Sequence, residues 1–117
     1  MSALVERRCV ACRPGSPTIT PSQIVEFHPQ IPDWTIVEVG GVLRLERQFH
    51  IRRWADALVL VAKVGALAEE EDHHPAILLE WGKVTVWWWT QAIGGLHVND
   101  FVAAAKTDQR ARALTGA

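Results

Sequence analysis

Two adjacent glycines divide the clearest alternating pattern in the chain. Trp34-Thr35-Ile36-Val37-Glu38-Val39 leads into Gly40-Gly41, and Val42-Leu43-Arg44-Leu45-Glu46-Arg47-Gln48-Phe49 leads out. A strand with one buried face needs a period of two, and Gly-Gly tolerates the positive φ of a tight turn, so a β-hairpin is predicted. Two further extended runs, Ala76 to Trp81 and Lys83 to Gln91, meet at Gly82-Lys83 and predict a second hairpin. Between the hairpins, from about Arg52 to Glu71, the spacing lengthens. Trp54, Leu58, Val61, Gly65 and Ala68 recur every three or four residues, which predicts an amphipathic helix.

Two more helices flank this unit. Thr20-Pro21-Ser22-Gln23 reads as a capping box with proline in the first turn, and Pro29 and Pro32 end that helix early. After the break at Gly94-Gly95, Asn99 or Asp100 caps a last helix carrying Phe101, Val102, Ala105 and Leu114. The order is helix, strand, strand, helix, strand, strand, helix. It predicts an α+β fold, a four-stranded antiparallel sheet with helices packed on one face. Residues 1–19 lack a hydrophobic period, contain Pro14, Gly15 and Pro17, and are expected to form a flexible arm. Residues 20–117 are expected to form one domain, since 117 residues at 49% hydrophobic content supply one core.

Charge excludes some function classes. Twelve Lys+Arg against 13 Asp+Glu give no electrostatic case for nucleic acid, and no basic cluster suits a membrane surface. The longest apolar run, Ala55 to Leu67, is interrupted by Asp56, Lys63 and Gly65, so no span is expected. Glu6, Arg7 and Arg8 occupy the place of a signal peptide's apolar stretch, so a cytoplasmic protein is expected. Cys9 and Cys12 form a Cys-x-x-Cys without a second pair to complete four zinc ligands. They read as reduced thiols in the arm, the lesser alternative being a metal shared with another subunit. Alternation places Trp87 and Trp89 on one sheet face and Trp88 on the other. At least one is expected to face a pocket or a partner subunit, hence a homo-oligomer, the alternative being a partly exposed Trp at the sheet edge.

The chemistry concentrates in Glu69-Glu70-Glu71-Asp72-His73-His74-Pro75, where the long helix gives way to the third strand. Acidic residues at a helix C-terminus oppose the macrodipole, so they call for a reason other than helix stability. Imidazole, with an unperturbed pKa of ~6.5, exchanges protons near neutrality, and nearby carboxylates fix its orientation and tautomer. Pro75 stiffens the corner. Two other readings stand beside acid–base chemistry. The histidines could cap the helix, or they could bind a metal, although neighbouring rings rarely converge on one ion.

The segment resembles the signature of the pterin-4a-carbinolamine dehydratases, through Glu69, His73, His74, Pro75, Trp81 and Asp100 in type and spacing. Cys-x-x-Cys-Arg, Ile31-Pro32-Asp33-Trp34, Glu80-Trp81-Gly82-Lys83-Val84-Thr85-Val86, Gly95-Leu96-His97, Asn99-Asp100-Phe101 and Ala104-Ala105-Lys106-Thr107-Asp108 are similar to the bacterial branch associated with phenylalanine hydroxylase. The resemblance implies removal of water from 4a-hydroxytetrahydropterin to give quinonoid dihydropterin. It implies a reduced pterin substrate, no cofactor and no metal, a homodimer or homotetramer, and a place beside an aromatic amino-acid hydroxylase. His73 is expected to act as acid or base, with His74 contacting substrate and relaying protons. Glu69 and Asp72 would tune the imidazoles, Asp100 would orient a neighbour or cap the last helix, and Pro75 would shape the site. Trp81 and one of Trp87 or Trp89 would stack on the pterin or belong to the core. Gln91 stands where the family has a third histidine, and it cannot exchange a proton near neutral pH. Reduced activity, or preference for one C4a isomer, would follow. Family resemblance also offers a non-catalytic alternative, a dimerisation or assembly factor with a protein-binding Trp-rich face.

Overall fold

The computed structural model describes residues 3–10 and 15–115. Helix α1 spans Pro21–Phe27, and its capping box is formed. Gln23 N–H donates to Thr20 Oγ1 at 3.2 Å, and Thr20 N–H donates to Gln23 Oε1 at 3.0 Å. Strands β1, Thr35–Val39, and β2, Val42–His50, pair antiparallel around Gly40 and Gly41, whose φ of 58° and 82° are the left-handed values the turn requires. Helix α2 spans Trp54–Glu71, strand β3 Ala76–Glu80, strand β4 Lys83–Trp88 and helix α3 Val98–Thr115.

The sheet order is β1-β2-β4-β3. Strand β4 is antiparallel to both neighbours, so β2 and β3 run parallel with β4 inserted between them. Helix α2 is therefore the crossover of a split β-α-β unit. Because β3 and β4 are joined by a hairpin, the start of β3 lies beside the end of β4, with Ala76 opposite Trp87. That end of the sheet holds the candidate site.

Helices α2 and α3 cover one face, as the alternation predicts. Leu45, Phe49, Val84, Val86 and Trp88 point into the core beneath them. Burying each such side chain stabilises by about 1.5–3 kcal/mol. The opposite face carries Arg44, Glu46, Leu78 and Trp87. Trp34 meets Phe49 edge-on at 6.2 Å, and its indole N–H donates to Asp108 of α3, which also receives Arg47 of β2 at 2.6 Å.

Four expectations shift. Helix α2 buries Ala57, Leu60, Val64, Leu67 and Ala68, whereas Trp54 and Leu58 of the predicted stripe are each 46% exposed. The helix is apolar on both sides, so period alone did not fix its phase. The last strand ends at Trp88 and not at Gln91. Thr90 and Gly95 exchange backbone hydrogen bonds, Gly94 takes φ 61°, and Gln91–Ile93 curls into a 3-10 turn. Helix α3 begins earlier than predicted, with His97 and not Asn99 or Asp100 in the capping position. Asn99 N–H donates to His97 Nδ1, and His97 N–H donates to Asp100 Oδ2. Finally, residues 3–10 of the expected arm lie against the body. Leu4 is wholly buried and its N–H donates to Gln30 Oε1. Cys12 lies outside the described residues.

Candidate active site

The three acidic residues ending α2 each have a separate partner. Glu69 Oε1 lies 2.7 Å from His74 Nε2. Glu70 forms a two-pronged contact with Arg110 of α3 at 3.1 and 3.2 Å. Glu71 accepts Lys106 Nζ at 2.9 Å and the Cys9 backbone N–H at 2.8 Å. Burial opposes ionisation of Glu71, but these donors outweigh it and hold its carboxyl below the ordinary value. Cations from α3 thus offset the unfavourable charge at this helix end.

Asp72 takes φ 49°, the single left-handed non-glycine conformation among the described residues. It closes α2 in a Schellman-type turn, with His73 N–H donating to Ala68 O at 3.1 Å. An aspartate there costs more than glycine would. Asp72 lines the cavity, and strain of this kind gathers at functional sites.

The chain then turns so that the two histidines diverge. The His73 side chain, 12% exposed, stacks on the buried Trp88 ring with centroids 5.3 Å apart and planes 24° apart. Its Nε2 lies 2.6 Å from Oδ1 of the fully buried Asp100. The other Asp100 oxygen accepts Thr90 Oγ1–H and His97 N–H, both at 2.9 Å. A carboxylate only accepts, so His73 Nε2 is a protonated nitrogen, and in the neutral ring Nδ1 keeps the lone pair. Beneath this pair Trp88 is fixed by its own N–H to Thr107 Oγ1 at 3.0 Å. The His74 side chain is 57% exposed, with its Nε2 held by Glu69. Both histidines thus have Nε2 engaged by a carboxylate and Nδ1 left over.

A cavity of about 310 Å³ opens at this corner, within the range of small-molecule sites. Asp72, His73, His74, Trp89 and Gln91 line it. Asp100 stands behind His73 and Glu69 behind His74. Pro75 is not on the wall, and it immediately precedes β3. Trp81 is not brought to the site. It is 86% exposed in the β3–β4 turn, beyond the whole of β3 from the histidines, a strand length of about 17 Å. Trp89 carries the Arg44 guanidinium 3.8 Å over its ring.

Val10, Thr90, Ala92 and Asn99 also line the cavity and were not singled out for it. Thr90 precedes Gln91 and was open to suspicion, whereas Val10 reaches the site only through contacts distant in sequence. Burial lowers the pKa of His97, with Asp100 opposing and His73 assisting. Burial, then the Glu71 and Asp100 carboxylates, push the Cys9 thiol up to about 12. Among the described residues, no group of three or more His, Cys, Asp or Glu is placed to hold a metal ion.

Several known proteins are similar to this chain over most of its length. A Gloeobacter violaceus protein with the provisional name pterin-4-alpha-carbinolamine dehydratase 1 is 58% identical over 105 residues, 90% of each chain. A Nitrosococcus oceani protein with the same provisional name, unnumbered, is 54% identical, covering 93% of this chain and 96% of its own. A solved structure from Brucella melitensis, described as a transcriptional coactivator/pterin dehydratase, superposes with a TM-score of 0.72 at 25% identity, over 81% of this chain and 99% of that one. The family model described as pterin 4 alpha carbinolamine dehydratase matches residues 17–110, and the chain belongs to that family.

Proposed function

We propose that this chain dehydrates 4a-hydroxytetrahydropterin to quinonoid dihydropterin. The C4a–O bond breaks and the hydroxyl leaves as water after gaining a proton. The N5–H bond breaks, and its electron pair forms the C4a=N5 double bond. Water and the oxidised pterin are the only products, so no redox partner is required. One group must give a proton and another must take one, which suits imidazoles near neutral pH.

The observation that carries this reading is the His73–Asp100 pair on the cavity wall. With Nε2–H directed to Asp100, His73 offers Nδ1 as base toward N5–H. His74, oriented by Glu69, contacts the substrate and relays a proton to the departing hydroxyl. Asp72 contributes charge at the wall, and Trp89 offers a flat face for the bicyclic ring. Gln91 occupies the cavity without an exchangeable proton, so catalysis proceeds with fewer acid–base groups and favours one C4a isomer. The test is a stopped-flow assay of 4a-hydroxypterin dehydration on each isomer. His73→Ala is expected to abolish the increment over buffer, and a wild type no faster than buffer would sink the proposal.

Among the described residues no helix is long and apolar enough to cross a membrane, and a cytoplasmic location beside an aromatic amino-acid hydroxylase fits the substrate. Exposed Trp54, Leu58 and Val59 on α2 support self-association as a homodimer or homotetramer, tested by sedimentation. The exposed Trp81 favours one second reading, a docking site for another protein at the hairpin tip. A pull-down with Trp81→Ala as control tests it.

A further inference from the structure

Residues 3–10 precede the segment matched by the family model, which begins at residue 17. Fold membership therefore does not account for what they do. They are nevertheless fixed at intervals. Leu4 is buried in the core, Arg7 lies 4.9 Å over the Phe27 ring, and Cys9 N–H donates to Glu71. At the end of the segment, Val10 and Asn99 form a two-way clasp. Val10 N–H donates to Asn99 Oδ1 at 2.9 Å, and Asn99 Nδ2–H donates to Val10 O at 2.6 Å. Asn99 is nearly buried and immediately precedes Asp100, the residue that holds His73.

The Val10 side chain, by contrast, is 62% exposed and lines the same cavity as His73, His74 and Gln91. An apolar side chain held by its backbone at the edge of a polar cavity gains little for folding. It is placed to meet the apolar part of a ligand. We infer that residues 3–10 form a fixed wall of the catalytic cavity, with Val10 touching the reduced pterin and Asn99 acting as the positioning residue that holds Val10 there. The inference rests on the dehydratase reading for the identity of the ligand.

The experiment uses the full chain with Val10→Ala and Asn99→Ser. Val10→Ala removes two exposed methyl groups and leaves the core untouched. Asn99→Ser removes both arms of the clasp and keeps a short polar residue in the first turn of α3. Val10→Ala is expected to raise KM about threefold to tenfold, with kcat within about twofold, as for a lost ground-state contact. Asn99→Ser is expected to raise KM similarly and to speed amide hydrogen exchange in the peptide covering residues 3–10. Unchanged KM in both variants would overturn the wall. So would unchanged exchange in Asn99→Ser. Should the wild type lack turnover, the dehydratase reading fails separately. The wall is then decided by that exchange and by affinity for 7,8-dihydrobiopterin, read from tryptophan quenching. Equal affinity in Val10→Ala and wild type overturns it.

Discussion

His73 Nε2 lies 2.6 Å from Asp100 Oδ1, and Asp100 is completely buried. The carboxylate fixes which ring nitrogen bears hydrogen and leaves the other for chemistry. Asparagine at this position keeps the shape and loses that control, because its amide can present N–H to the ring. Asp100→Asn is expected to lower kcat by about 10²-fold or more, the scale of a misplaced acid–base group, with a smaller change in KM. Steady-state kinetics on the purified variant check this.

Gln91 lines the cavity on an exposed 3-10 turn, so the position tolerates a ring without core repair. Gln91→His adds a proton carrier to the cavity wall. It is expected to raise kcat by about tenfold or more on the disfavoured C4a isomer. Equal rates for the two proteins on both isomers would show that glutamine impairs nothing.

His97 gives the fold a pH dependence with a definite sign. Its Nδ1 accepts Asn99 N–H and must be bare to do so. Burial lowers its pKa in the folded chain. The unfolded chain, titrating near ~6.5, therefore binds protons first as pH falls. The stabilisation is complete above that value and is lost as pH drops through the lowered one. Thermal melts from pH 8 to pH 5 are expected to show a smaller acid loss in His97→Asn, which retains a cap, than in the wild type.

Cys9 should be inert as a thiol. A pKa moved from 9.0 to about 12 leaves roughly a thousandfold less thiolate at a given pH. Iodoacetamide labelling of the native protein at pH 8, read by mass spectrometry, is expected to modify Cys9 far more slowly than the same residue in denatured chain.

The phase of α2 can be checked by two substitutions. Leu60 is fully buried and Leu58 is 46% exposed. Leu60→Ala is expected to cost about 2–5 kcal/mol in urea unfolding. Leu58→Ala is expected to cost well under that.

What the sequence made legible follows from local chemistry. The Gly40-Gly41 hairpin and the Thr20–Gln23 capping box need only their own residues, and both formed as written. His73, His74 and Gln91 were linked in the sequence only by family resemblance, and hairpin order gives the physical reason they meet, since the start of β3 lies beside the end of β4. The same geometry carried Trp81 to the far end, although in sequence it sits close to His74. The phase of α2 needed knowledge of which apolar side meets the sheet, and a helix apolar on both sides does not reveal it. The placement of Val10 and the cap at His97 depend on hydrogen bonds to atoms set by tertiary folding. No periodicity announces such bonds.

Asp100 belongs at once to the start of α3 and to His73. A lineage that abandoned catalysis would still be pressed to keep it, since losing it loosens the helix. Finding this aspartate in a relative is therefore poor evidence of an active enzyme. The exposed Glu69–His74 contact carries little of the fold and would be the first to drift. Its survival is the better marker of a working site.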